Sequence, residues 1–177
     1  MAPLASAELP LPHLPLVGSG TVVRSSRQYK ELPTTIRTFL EAGGRLIDTA
    51  SSYGGTEAKL AEPLSRVARS ELFVISKISI PSMGYESTLR QVNATLASLR
   101  TRYVDLMLVH RPNNAPGRKG ERDQRVTRAL RLDTYRALVE AQQLGLVRFV
   151  GVSNFGIIYL RELEEAGLPP PAANECP

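Results

Sequence analysis

An α/β fold built on a parallel sheet is predicted by three features of the sequence. Short apolar runs alternate with amphipathic stretches, the connections between them are short, and glycines and prolines punctuate the boundaries. Strict alternation of strand and helix sends every crossover through a helix and makes the strands parallel, which leaves a closed barrel or an open doubly wound sheet. An open dinucleotide-binding sheet would carry G-x-G-x-x-G after its first strand, and Gly18-Ser19-Gly20-Thr21-Val22-Val23 lacks the third glycine. Spacing alone does not choose between the two.

The apolar runs place strands at residues 14–18, 45–48, 72–76, 104–110 and 147–152, with a short sixth near 172–174. A first helix is expected to open at Pro33, to carry Ile36, Phe39 and Leu40 on one face and to end at Gly43-Gly44. Thr56 is placed to cap a second helix bearing Leu60, Leu64 and Val67; Pro63 inside it costs about 3 kcal/mol, so a break or a later start is expected. Leu89, Val92, Leu96 and Leu99 form a third stripe at helical spacing, Tyr135, Leu138 and Val139 before Gly145 a fourth, and Ile157, Leu160 and Leu163 before Gly167 a fifth. Each is read as a core-facing packing stripe.

At 177 residues, 42% hydrophobic and 22% charged, the chain suits one domain with a real core. No apolar run reaches the roughly 18 residues of a membrane span, and no basic residue precedes the apolar part of the N-terminus as in a secretory signal. A cytoplasmic location without membrane partners is therefore expected. The single cysteine, Cys176, excludes an internal disulfide framework and a cysteine metal cluster. No other His, Cys or carboxylate cluster has ligand spacing, so no metal is expected. The net charge of +5 is concentrated in residues 117–131, where Arg118, Lys119, Arg122, Arg125, Arg128 and Arg131 outnumber Glu121 and Asp123. No aromatic residue interleaves that run to stack bases, so it reads as a solvated loop and helix face, and nucleic acid is not an expected partner.

The active site of a parallel barrel gathers at the C-terminal ends of its strands, so the polar residues that follow each apolar run belong together. Asp48 follows RLI, Lys77 follows LFVIS, His110 follows DLMLV and Ser153-Asn154 follows FVGV, while Tyr53 lies five residues beyond Asp48. Taken singly, Asp48 caps a turn, Tyr53 packs, Lys77 is solvated and His110 is a core histidine. Jointly, an acid, a phenol, an ammonium and an imidazole on one barrel face make a proton-delivery site. Reduction of a carbonyl needs a hydride at carbon and a proton at oxygen, and a phenol of pKa about 10 is a poor acid unless its anion is stabilised. Lys77 supplies that stabilisation, Asp48 holds the lysine charged, His110 orients the carbonyl, and Tyr53 is the acid.

The segments LIDTASSYG, FVISK, DLMLVHRP and FVGVSNF, in this order, resemble the motifs of the aldo-keto reductase family. The resemblance runs from about Leu14 to the end of the chain, and Asp48, Tyr53, Lys77 and His110 match the family's catalytic tetrad. It implies a (β/α)8 TIM barrel, reduction of an aldehyde or ketone, and NADPH in preference to NADH. Ser153 and Asn154 would bind the nicotinamide carboxamide, and a turn over residues 18–21, with Gly20 and Thr21, would lie beside the nicotinamide ribose together with Asp48. A small-molecule carbonyl compound would sit against Tyr53, His110 and Arg111.

Three departures qualify the resemblance. Arg111 stands where many members carry tryptophan, and it either pairs with an anionic substrate or turns outward; the outward reading is favoured. Glu175 follows Asn174 where the family has glutamine, so an amide donor to the nicotinamide is missing. A complete barrel takes about 250 residues, so residues 1–177 are expected to form one domain with five to six of the eight β/α units. An open parallel barrel exposes strand edges, so self-association through that edge is expected. The alternative reading is a binding or regulatory protein that retains an impaired version of the fold, as the similar potassium-channel β subunits do.

Overall fold

The structure, a computed structural model, describes residues 14–113 and 126–176. Six strands form one parallel sheet in sequence order: β1 (Gly18–Gly20), β2 (Leu46–Asp48), β3 (Phe73–Ile78), β4 (Val104–Val109), β5 (Val147–Ser153) and β6 (Asn174–Glu175). Helices α1 (Ser26–Glu41), α2 (Thr56–Leu64), α3 (Tyr85–Leu99), α4 (Arg128–Gln143) and α5 (Ile157–Glu165) make the crossovers. Consecutive order in a parallel sheet is the order of a barrel wall, and the sheet curls as six of the eight strands such a barrel needs.

Helices cover one face of the sheet, and on the other the strands' own side chains pack together. The helix-facing core includes Ile36, Ile47, Leu60, Val74, Val92, Met107, Leu138 and Val152. On the concave face a smaller cluster of Phe73, Ile75, Leu106, Leu108 and Phe149 is joined by Leu46 and Ala173. Gly151 lies on that face at a close approach. A Cβ there would stand 2.7 Å from both the Ala173 carbonyl oxygen and a Leu108 methyl, so only glycine lets β6 lie against β5.

The first two helices differ from the sequence reading. α1 opens at Ser26, seven residues before Pro33, because the Ser25 side chain accepts from the Gln28 N–H and caps it there. Pro33 thus sits inside the helix, where it forfeits one backbone hydrogen bond while Leu32, Ile36 and Leu40 are buried around it. In α2 the cap position is Gly55 rather than Thr56, and Pro63 is accommodated because the helix ends one residue later, at Leu64.

Both terminal strands are shifted as well. β1 spans Gly18–Gly20 instead of residues 14–18; Leu16 and Val17 are exposed, and the glycine at 18 makes room for Leu46, to whose side chain a Cβ would approach within 2.3 Å. β6 is displaced to Asn174–Glu175 by its pairing with Val152 and Ser153.

Burial overturns two further expectations. On α5 only Leu163 is buried, while Ile157 and Ile158 are 69% and 66% exposed, because no element among the described residues covers that side of the open sheet. The basic run is not wholly solvated either. Arg131 is buried, forms a two-pronged ion pair with Glu162 at 2.7 and 2.8 Å and donates to the carbonyls of Pro112 and Val126. Its neighbour Arg128 reaches Glu165, and the run's other four basic residues lie outside the described residues.

Opposite the strand ends that carry the polar cluster, Asp105 is fully buried between Arg69 and Arg148 and accepts from the Val74 N–H, locking the starts of β3, β4 and β5 together. No helix among the described residues is long and apolar enough to cross a membrane.

Candidate active site

The twofold alternation of strand side chains carries the concave face directly to the polar groups. Asp48 lies two residues beyond Leu46, Lys77 two beyond Ile75, His110 two beyond Leu108, and Glu175 two beyond Ala173; Ser153 is two steps beyond Phe149, through Gly151. Each side chain therefore caps the inner apolar cluster at the C-terminal end of its strand.

Lys77 is 1% exposed and fully partnered: its ammonium donates to both Asp48 oxygens at 2.6 Å and to the Thr49 carbonyl at 3.2 Å. A second carboxylate, Glu175, stands 3.4 Å away. Burial alone would lower the lysine, but the charge and hydrogen bonds of Asp48, with Glu175 and Tyr53 behind them, hold it above its ordinary value.

Tyr53 arrives from the loop after β2. Gly54 and Gly55, at φ +65° and +80°, turn the chain back from it into α2, a left-handed pair that side-chain-bearing residues rarely adopt. Its ring lies 5.5 Å from the lysine nitrogen and edge-on to His110, with centroids 5.8 Å apart and planes at 74°. The phenol is raised above its ordinary value by burial first; Lys77 opposes this, and Asp48 and Glu175 add to it. Lys77 thus pulls in the direction read from sequence, but burial and the two carboxylates outweigh it. His110 Nδ1 lies 3.4 Å from the Ser52 hydroxyl, and its main-chain N–H donates to Ile78 across the sheet.

The β5 end is organised through Asn154, which adopts φ +60° and donates from Nδ2 to the His110 carbonyl and to Ser153 Oγ. Ser153 in turn donates to the Glu175 carbonyl. At β1, residues 18–20 are strand rather than turn. The Thr21 N–H donates to the Asp48 carbonyl, while its hydroxyl is buried with no hydrogen-bond partner. A Cβ at Gly20 would meet nothing within 4 Å, so open space lies over that strand end.

Tyr53 and His110 open onto a cleft of about 550 Å³ lined also by Val22, Val23, Arg24, Ser52, Gly54 and Arg111. Arg111 thus faces the cleft instead of turning outward, because the chain leaving His110 runs along its wall, and its Nε is shut off from solvent. Arg24, Ser52 and the placement of Glu175 were not visible as site features in sequence: no motif surrounds Arg24, Ser52 lies within LIDTASSYG without a role of its own, and Glu175 depends on how β6 pairs with β5. A separate cavity of about 370 Å³, among Leu64, Val67, Arg69 and Leu99 before β3 and β4, holds none of these groups.

The model of the Aldo/keto reductase family matches residues 17–177. An aldo-keto reductase of Mycolicibacterium vanbaalenii is 32% identical over 164 residues, which are 92% of this chain and 53% of that protein; one from Mycolicibacterium smegmatis is 33% identical, over 92% and 52%. Among solved structures, an aldo/keto reductase from Brucella melitensis superposes with a TM-score of 0.75 at 32% identity, over 90% of this chain and 57% of that one. A Bombyx mori aldo-keto reductase in complex with NADP gives 0.80 at 28% identity, over 92% and 54%. The chain spans about half the length of the curated relatives it matches. With the family model spanning nearly all of it and the parallel wall superposing on solved members, the chain belongs to the aldo/keto reductase family.

Proposed function

We propose that this chain carries the proton-delivery half of a carbonyl reductase, converting an aldehyde or ketone to an alcohol with Tyr53 as the acid. The observation that carries the reading is that Tyr53 and His110, which line one cleft, meet edge-on, with the buried Lys77–Asp48 pair behind the Tyr53 ring. The proposed cofactor is NADPH, in preference to NADH, and it supplies the hydride when bound. NADP in the Bombyx mori relative supports this. So does the fit of the residues present: an unpartnered Thr21 hydroxyl, open space over Gly20, and the Ser153–Asn154 corner.

In this reading Tyr53 gives its proton to the carbonyl oxygen, and the Lys77 charge offsets the cost of the phenolate left behind. Asp48 positions the lysine, and His110 holds the carbonyl oxygen at the cleft. Ser153 and Asn154 serve the cofactor's carboxamide; their donors are engaged within the protein, so they offer acceptors. Glu175 likewise accepts but cannot donate when ionised. Arg111 lies on the substrate side. The test is calorimetric titration of the purified chain with NADPH, then loss of NADPH absorbance on adding a reactive aromatic aldehyde. Binding and Tyr53-dependent turnover are expected, whereas a folded sample that binds no NADPH would overturn the reading.

Glu175 gives a second readout. Its carboxyl is pushed up by burial and by sharing with Asp48, against the pull of Lys77, and when ionised it raises the phenol. Glu175→Gln removes that anion, so the Tyr53 pKa falls. A general acid works only while protonated, so the alkaline loss of kcat/KM should begin at lower pH in the variant. A basic limb that does not move would show that Glu175 is uncoupled from the acid.

The exposed Ile157 and Ile158 beside the open sheet support association of that edge with a second copy of the chain.

A further inference from the structure

Two arginines, Arg24 and Arg111, wall the cleft of Tyr53 and His110, and among the described residues no aspartate or glutamate lines it. Neither has a carboxylate within 4.0 Å among the described residues, whereas Arg69 and Arg131, the arginines folded into the protein elsewhere, are each clasped by one. Arg111 is the more telling of the two. Its Nε is closed off from solvent and has no hydrogen-bond acceptor, so part of the guanidinium has been stripped of water without receiving a partner. A cation in that condition attracts an anion more strongly than a fully hydrated surface arginine does, and its planar fork matches a carboxylate or a phosphate. Its position adds a constraint: it directly follows His110, so an anion held there lies beside the carbonyl-binding end of the cleft.

We propose that Arg111, assisted by Arg24, is a specificity-determining residue that recognises an anionic group, carboxylate or phosphate, on the carbonyl substrate. This rests on the reading that the cleft takes a carbonyl compound. An apolar aldehyde leaves the guanidinium as it is in the free protein. One bearing an acidic group close to its carbonyl supplies the missing acceptor while its oxygen reaches Tyr53 and His110.

The test compares benzaldehyde, a carboxylated benzaldehyde and a phosphorylated aldehyde of similar size, titrated into the NADPH-supplemented chain. Affinity is read by calorimetry and the Arg111 Nε–H resonance by nitrogen-edited NMR, with no need for turnover. An anionic aldehyde is expected to bind about tenfold tighter than benzaldehyde and to shift that resonance. Arg111→Gln should erase the advantage, Arg24→Gln should reduce it, and Arg111→Lys, which keeps the charge, should restore part of it. The two anionic aldehydes distinguish carboxylate from phosphate recognition. Equal affinity for charged and neutral compounds, or an advantage that survives Arg111→Gln, would overturn the proposal. Turnover without anion preference sinks this proposal and leaves the reductase reading standing, whereas anion-selective binding without NADPH oxidation does the reverse.

Discussion

Replacing Tyr53 by phenylalanine is expected to lower kcat about 10²- to 10⁴-fold, the usual contribution of a positioned acid, with NADPH affinity and melting temperature essentially unchanged. The structure separates the two effects. Tyr53 anchors its turn through main-chain groups, its N–H donating to the Ala50 carbonyl and its carbonyl accepting from Thr56, and phenylalanine keeps both. The ring that meets His110 edge-on is also retained. What disappears is the hydroxyl beside Lys77, the proton donor of the proposed reaction. Steady-state kinetics alongside a thermal melt check this, and full turnover in the phenylalanine variant would remove Tyr53 from the mechanism.

Lys77→Met is expected to lose turnover and also to destabilise the fold, by about 3–5 kcal/mol near neutral pH. The side chain is almost wholly inaccessible, and its ammonium is the counter-charge for Asp48 and Glu175 together. Methionine fills much of the volume but leaves two neighbouring carboxylates without a cation. One of them then takes up a proton far more readily than in the unfolded chain. A carboxyl whose folded pKa is raised favours the folded state at low pH and penalises it once pH exceeds the unfolded value. The deficit relative to the parent protein should therefore shrink on acidification, from about pH 7 to about pH 5. Urea melts at the two values test this, and an unchanged stability near neutrality would mean that the lysine is not what holds the carboxylates together.

Burial first, and then the two carboxylates that share Lys77, explain why Tyr53 is raised rather than lowered in the free protein. One ammonium faces two carboxylates, and burial works against the phenolate before any neighbour acts. A raised phenol remains protonated across the neutral range and so remains available to donate. Lys77 contributes most when negative charge develops on the tyrosine oxygen. Arg24 and Arg111 bring positive charge to the wall of the same cleft, the basis of the proposed preference for acidic carbonyl compounds.

Much of this protein is legible in its amino-acid sequence. Short continuous apolar runs separated by helical stripes identify parallel strands and crossover helices, because a strand buried on both faces reads as an unbroken apolar run. The same rule places Asp48, Lys77 and His110 at strand ends, since each immediately follows an apolar run. Boundaries were less legible where a local preference competed with packing: Pro33 marks a helix start by propensity, yet the Ser25 cap and the burial of Leu32 extend α1 around it.

The parallel α/β order and the chemical identity of the strand-end groups are written in the amino-acid order, because both follow from patterns within single segments. Which of those groups share charge is set by packing between segments. Lys77 meets Asp48 and Glu175 across strands separated by up to 127 residues of chain numbering, from 48 to 175. The burial of Arg111 Nε is likewise a property of the folded chain. Pairwise distance and burial set electrostatic coupling, and neither is a property of a segment read alone.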